Sequence, residues 1–277
     1  MNQQIQNGVM TVAMLWESIV SGELGTHPRE LSAAGASYIY QTTQFPSSET
    51  KYHNYYLLLR VESYFGACSH MPDQISIDVA GELSGTPLDI CICDSRLPIR
   101  IAAMDAYLGT IFPHAEYCSN AMDLPAGTPV ERANLRDNLI ADTANITPGM
   151  KIALIGVVNP LISAIRHRGG ICLPCDLQME KTQWGEPVEK DMEKVLNEAD
   201  GIICTGMTLS NGTFDRIVER ASVRNVPLTV YAQTGSAITA RFIGKGVTGL
   251  VAEPFPFSQF NAGVTQLYCY GKKAGEE

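Results

Sequence analysis

Two strings of small polar residues, each following an apolar run, hold most of the chain's chemical potential. After Gly201-Ile-Ile-Cys comes Thr205-Gly-Met-Thr-Leu-Ser-Asn-Gly-Thr213, and after Leu228-Thr-Val comes Tyr231-Ala-Gln-Thr-Gly-Ser236. The first offers hydroxyls at Thr205, Thr208, Ser210 and Thr213, the Asn211 amide, and backbone freedom at Gly206 and Gly212; the second adds Gln233, Thr234 and Ser236. Polar loops at neighbouring strand ends suit a polar or anionic ligand. No nucleophile–base pair stands among them, so the expectation is binding, with no covalent chemistry assigned. Asn211 or Thr213 also fits as a cap for a helix beginning near Phe214.

A third loop, Gly156-Val-Val-Asn-Pro160, also follows an apolar run and places Gly156 and Asn159 at the same mouth. It lacks the second and third glycines of a Gly-x-Gly-x-x-Gly fingerprint, and Val157 and Val158 would crowd a pyrophosphate. Ordinary dinucleotide binding is therefore disfavoured. Asp176 follows Gly156 by twenty positions, where a carboxylate would meet a ribose in nucleotide-binding relatives of such a fold, or would stand as a solvated strand-end acid.

Soft metal ligands are present but scattered. Cys68 and His70 are spaced i,i+2 in Gly66-Ala-Cys-Ser-His-Met-Pro, a small polar segment that reads as a loop, and His53 and His114 lie elsewhere. A soft site for a transition metal would form where one or two of these converge with Cys175 or Asp176 across the cleft, with Cys68, His70 and Cys175 as the first candidates. Glu253 and Asp94 read as solvated carboxylates first and ligands second. Of the eight cysteines, Cys91, Cys93, Cys204 and Cys269 sit in apolar, strand-like runs and read as buried thiols. Cys172-Leu-Pro-Cys175 has redox or metal spacing without a second pair nearby, which favours burial.

The elements that must position these groups fall into two patterns. The first third mixes a helix over about Val9 to Ser21 with strands over Ala36 to Thr42 and Tyr55 to Val61, followed by a helix from Pro98 to about Ile111, an α+β arrangement. Proline and glycine punctuate the stretch from Met122 to Pro148, which reads as a connection with a short polar helical piece. Beyond it, strands at Lys151–Ile155, Gly170–Leu173, Gly201–Thr205, Leu228–Tyr231 and Gly249–Val251 alternate with helices at Pro160–His167, Val188–Glu198, Phe214–Val223 and Ser236–Ile243. That alternation implies right-handed βαβ units on a parallel sheet. The expected fold class is α/β, with a first domain over 1–121, a connection over 122–150 and a Rossmann-like domain over 151–277.

With 277 residues, 45% of them hydrophobic, the chain has material for two cores. A formal charge of −9 without any Lys/Arg cluster argues against nucleic acid or an anionic membrane as partner. No run of about 18 apolar residues and no basic leader is visible. The expectations are a cytoplasmic protein, a small molecule or metal as partner, and a homo-oligomer, with a homodimer as the default.

Thr205-Gly-Met-Thr-Leu-Ser-Asn-Gly-Thr213, preceded by Glu198-Ala-Asp200, resembles a Rossmann-like family described as putative heavy-metal chelation. Gly156, Asp176 and Gly246-Val-Thr-Gly249 reinforce the resemblance over about Lys151 to Tyr268, although the turn Gln233-Thr-Gly-Ser236 departs from the family's proline-containing one. The helix Leu97-Pro-Ile-Arg-Ile-Ala-Ala-Met-Asp-Ala-Tyr-Leu-Gly109 is similar to one in the small N-terminal domain of enolase. The resemblance implies an enolase-N-terminal-like first domain packed on the Rossmann-like one, with a site in the cleft between them. The expected ligand is a heavy metal or metal chelate, with an enzyme of small-metabolite or metallophore metabolism using a nucleotide-type cofactor such as S-adenosylmethionine over Gly156 and Asp176 as the alternative. Enolase chemistry itself does not follow, because its magnesium ligands and base belong to a barrel domain.

Overall fold

The computed structural model describes residues 9–44 and 51–271; the polar stretch Met1–Asn7 lies outside them. Among the described residues no helix is long and apolar enough to cross a membrane.

The first half begins with α1 (Val12–Val20), followed by an antiparallel meander of β1 (Gly35–Gln44), β2 (Lys51–Val61) and β3 (Tyr64–Ser69). Then come α2 (Val79–Leu83), α3 (Leu88–Ile92), α4 (Leu97–Ile111) and α5 (His114–Tyr117). β3 replaces the loop expected at Gly66-Ala-Cys-Ser. Small residues are needed there because α4 lies directly on the strand: a Cβ on Gly66 would overlap the backbone of Ala102 and Ala106. Cys91 and Cys93, expected in a strand, lie in and just after α3, with Cys91 buried and Cys93 exposed. α4 is buried on nearly every side, as a helix must be when it is sandwiched between its own sheet and the rest of the molecule.

The second half is an α/β layer built on a seven-stranded sheet of order β4-β10-β9-β8-β7-β5-β6. Its parallel strands are β5 (Lys151–Ile155), β6 (Ile171–Cys175), β7 (Gly201–Thr205), β8 (Leu228–Ala232) and β9 (Gly249–Ala252). β10 (Thr265–Tyr270) runs antiparallel to β9, and β4 (Asn120–Leu124) antiparallel to β10. Alternate residues of β5 and β7 feed separate apolar clusters, Ala153, Ile202 and Cys204 in one and Ile152, Leu154 and Ile203 in the other. Burial on both faces explains their unbroken apolar runs. The connecting helices are α7 (Asn159–His167), α8 (Met192–Glu198), α9 (Phe214–Arg224) and α10 (Ser236–Ala240). The α/β class, with a parallel sheet after an α+β first half, agrees with the sequence reading.

The stretch expected to be a connection holds more than a short helical piece. It supplies α6 (Pro129–Thr143), fifteen residues long and opened by a capping box between Thr128 and Glu131. Arg132, Ala133, Asp137, Ile140 and Ala141 are its buried residues.

The halves share one apolar cluster, which includes Leu57 and Ala102 of the first and Cys204 and Ile238 of the second. Asp105 of α4 pins the seam. Its carboxylate accepts the amides of Ala67 at 2.9 Å, Ala237 at 2.8 Å and Ile238 at 3.4 Å. Burial pushes its pKa up to about 7, against the pull of those amides. Nearby, Ser236 Oγ bonds both Tyr64 Oη and His114 Nε2 at 3.1 Å, and His114 Nδ1 meets Tyr270 Oη at 2.6 Å.

Candidate functional site: the carboxyl edge of the parallel sheet

The order of connections reverses between β5 and β7; Asn159 after β5 meets Tyr52 of β2 at 3.2 Å, and Ser210 after β7 meets Ser69 of β3 at 3.1 Å. Crevices of this kind are where open α/β sheets bind ligands. Here the crevice itself is filled. Gly156 has φ +87°, and a Cβ on it would stand 2.5 Å from Thr205 Cγ2 and 3.2 Å from Tyr231 Oη. Tyr231 Oη donates to the Gly156 carbonyl at 2.7 Å. A phosphate could not approach this glycine's backbone closely past the two side chains.

Most of the polar loop residues predicted as ligand contacts are engaged with their own backbone. Asp176 Oδ2 accepts the Val157 amide at 2.9 Å, and Oδ1 accepts those of Gln178 and Met179 at 2.8 and 2.9 Å. Its carboxylate ties two loops together, in place of the ribose contact that its spacing from Gly156 suggests. Asn159 Nδ2 donates to Tyr52 Oη at 3.2 Å while its Oδ1 accepts the Gln183 amide at 3.1 Å. Thr205 Oγ1 accepts from Met207 N, Thr208 Oγ1 donates to the Thr205 carbonyl and Ser210 Oγ to that of Met207. Asn211 Oδ1 accepts from the amide and hydroxyl of Thr213, and neither side chain caps α9. Gly206 is glycine because a Cβ would overlap the Thr234 carbonyl. Ser236 is fully buried in the seam. These residues build a rigid rim.

Gln233 is the predicted residue that enters a cluster with unsatisfied chemistry. Its Nε2 donates to Glu253 Oε2 at 2.7 Å and to Gln259 Oε1 at 2.8 Å, and Gln259 Nε2 returns a bond to Gln233 Oε1 at 3.0 Å. Glu253, just past β9, is 2% exposed, in contrast to the solvated carboxylate expected; Oε1 accepts the Ser258 amide. Beside it, Arg136 Nε of α6 donates to Asp137 Oδ1 at 2.9 Å, and Arg136 Nη1 lies 3.8 Å from Glu253 Oε2. Asp137 is 0% exposed and its Oδ2 has no hydrogen-bond partner. Burial raises the Asp137 pKa, Arg136 opposes the rise and Glu253 adds to it. For Arg136, burial favours loss of the proton but Asp137 and Glu253 outweigh it, so the guanidinium stays charged. Arg136 and Asp137 are absent from the residues that sequence reasoning selects; the available signal is Asp137 falling in the stripe Ala133, Asp137, Ile140, Ala141 that has to face the sheet.

The predicted metal ligands are not brought together. Cys68 is buried in the core, its thiol pushed well up by burial, and the Cys175 thiol is raised to about 11 by burial and neighbouring carboxylates. His70 Nδ1 lies 2.8 Å from the Met71 carbonyl, and its ring packs against Tyr38 and Tyr55. His53 Nδ1 meets Tyr40 Oη at 3.0 Å, His114 is held near pKa 4 by burial, and Asp94 is paired with Arg96. Among the described residues no three His, Cys, Asp or Glu side chains are grouped to hold a metal ion.

Residues 139–241 match the family model described as putative heavy-metal chelation. Two crystal structures of proteins of unknown function from that family, DUF364, are similar throughout. One, from Desulfitobacterium hafniense, is 16% identical with a TM-score of 0.62, covering 93% of this chain and 99% of its own. The other, from Pyrococcus horikoshii, is 16% identical with a TM-score of 0.53, covering 92% and 98%. At that identity the likeness speaks for the fold, which includes both halves. No protein of curated function matches the chain. The Thr205–Thr213 string lies inside the segment, residues 139–241, that is similar to the family described as putative heavy-metal chelation.

Proposed function

We propose that the protein binds a small polar ligand, a heavy metal in chelated form, in a cleft between β2 and the ends of β8 and β9, apart from the filled crevice at β5 and β7. One observation carries the reading: Arg136, Asp137, Gln233 and Glu253 converge at the ends of β8 and β9, and Asp137 Oδ2 is left buried without a donor. A buried oxygen of this kind costs stability unless something supplies a partner. The guanidinium of Arg136 repels a bare cation but attracts the carboxylates of an organic shell around one. The family description points toward metal handling in the same way.

Native mass spectrometry of the full chain, with and without Arg136→Gln, tests the reading and reports whether the chain is the homo-oligomer expected. Unaltered protein should retain, or take up, Ni(II)–iminodiacetate in preference to Ni(II) chloride, and Arg136→Gln should lose it. Equal uptake by the variant, or preference for the free ion, overturns the proposal.

A further inference from the structure

We infer that the ligand of this cleft is an aminocarboxylate, presenting a carboxylate to Arg136 and an amine to Asp137. The inference deepens the reading above and rests on it. Arg136 spends only Nε on Asp137; its two terminal nitrogens make no hydrogen bond with a described residue, and the nearest carboxylate oxygen, Glu253 Oε2, is 3.8 Å from Nη1. The Arg136 side chain is 19% exposed, enough for a ligand to reach the fork. A planar fork with both ends open matches one carboxylate through two parallel bonds.

The neighbouring Asp137 presents the opposite need. Oδ1 is occupied by Arg136 Nε, Oδ2 is an acceptor without a donor, and the residue is fully buried. The amides around it are already spent: Gln233 and Gln259 bond each other, Gln233 also bonds Glu253, and Gln259 reaches Tyr56 Oη at 3.3 Å. With these amides committed and the Arg136 fork turned to a ligand carboxylate, an amine on the ligand supplies the donor that Asp137 Oδ2 lacks. Arg136 is the one guanidinium facing the two carboxyl groups of Asp137 and Glu253, so a simple dicarboxylate or a phosphate would add uncompensated negative charge, whereas a ligand that carries its own ammonium beside its carboxylate adds none. Arg136 and Asp137 are joined through Nε and Oδ1, so the open fork and the unpartnered buried oxygen belong to one ion pair. Groups on one or two carbons, as in an α-amino acid, can meet both. Molecules that combine amine nitrogen and carboxylate oxygen are also chelators of transition metals, which connects the charge pattern to a metal-handling family.

Calorimetric titration of the full chain with matched ligands decides the matter. The first set is L-histidine, its deamino analogue imidazolepropionate and its decarboxylated analogue histamine; the second is iminodiacetate and its carbon analogue glutarate. Loss of either charged group should weaken binding about 30-fold, the effect of one charge-assisted hydrogen bond. Asp137→Asn should erase the preference for histidine over imidazolepropionate, and Arg136→Gln the preference over histamine, with thermal melts confirming that both variants fold. If the deamino compounds bind as tightly as their parents, the cleft binds ligand but the aminocarboxylate inference fails. It fails equally if none of them binds while the unaltered chain takes up Ni(II)–iminodiacetate and Arg136→Gln does not. If no probe of either experiment binds, both readings fall. The unaltered chain alone is sufficient for the ligand comparison, so a variant that does not fold leaves the test intact.

Discussion

Replacing Asp105 with alanine should reveal how much one buried side chain contributes by tying α4 to β3 within the first half and to α10 across the seam. The substitution strips the acceptor from two close amides, Ala67 at 2.9 Å and Ala237 at 2.8 Å, and from the looser Ile238 at 3.4 Å. Each buried donor left without a partner costs about 1–3 kcal/mol, so the two close ones together predict a loss of about 4 kcal/mol. Asp105→Asn keeps one oxygen but turns an amide NH2 toward a backbone N–H, for a loss of about 2 kcal/mol. Urea unfolding at pH 6, followed by far-ultraviolet circular dichroism, measures both. The pH dependence supplies an independent check. Asp105 titrates near pH 7 when folded, against an ordinary value of 3.8, so the folded state holds the proton more tightly than the unfolded chain. That contribution is complete below the unfolded value and is lost as pH rises through 7. Between pH 5 and pH 8 the unaltered chain should lose about 3 kcal/mol that Asp105→Asn does not lose. A destabilisation by Asp105→Ala of less than about 1 kcal/mol, or parallel pH profiles for the two proteins, would refute the reasoning.

Gly66→Ala should be among the most damaging single-methyl additions in the chain, because the new Cβ overlaps backbone atoms of α4 that cannot rotate away; a fall in stability of about 3 kcal/mol, or failure to recover soluble protein, is expected in melting experiments. Asp176→Ala frees the amides of Val157, Gln178 and Met179. It should loosen the loops after β5 and β6, read as faster amide hydrogen exchange there, with no loss of histidine binding. Asn211→Ala removes a local bond to Thr213 and should cost about 1 kcal/mol, while native mass spectrometry finds ligand retention unchanged.

The parts of the fold visible in the sequence are those where one physical demand dominates. β5 and β7 are buried on both faces, so Lys151–Ile155 and Gly201–Thr205 announce themselves by apolar runs and their observed bounds match the expected ones. β3 hides from a pattern reading because Gly66 and Ala67 are small for the sake of a helix packed across them, and close approach leaves the same composition as a loop. The same ambiguity affects the site. Thr205, Thr208, Ser210 and Asn211 look like ligand donors, yet a tight turn needs the same residue types for its own hydrogen bonds. Gln233 is legible as a strand-end amide. Arg136 and Asp137 are not, because their importance comes from Glu253, far along the chain, and a charged helix face reads as solvated until its partner is known.

The position of β10 has a consequence for how the molecule is made. β10 lies between β9 and β4, and among the described residues β4 finds its one sheet neighbour in β10. During synthesis from the N-terminus, Asn120–Leu124 leaves the ribosome about 140 residues before Thr265–Tyr270 follows it. Until then its backbone groups must be satisfied by water, and the sheet ends at β9 with an open edge. Closing that gap is a long-range pairing, the slow kind in folding. Truncation within 265–270 should therefore release β4 as well, exposing a strand near the start of the sheet by a cut near the end of the chain.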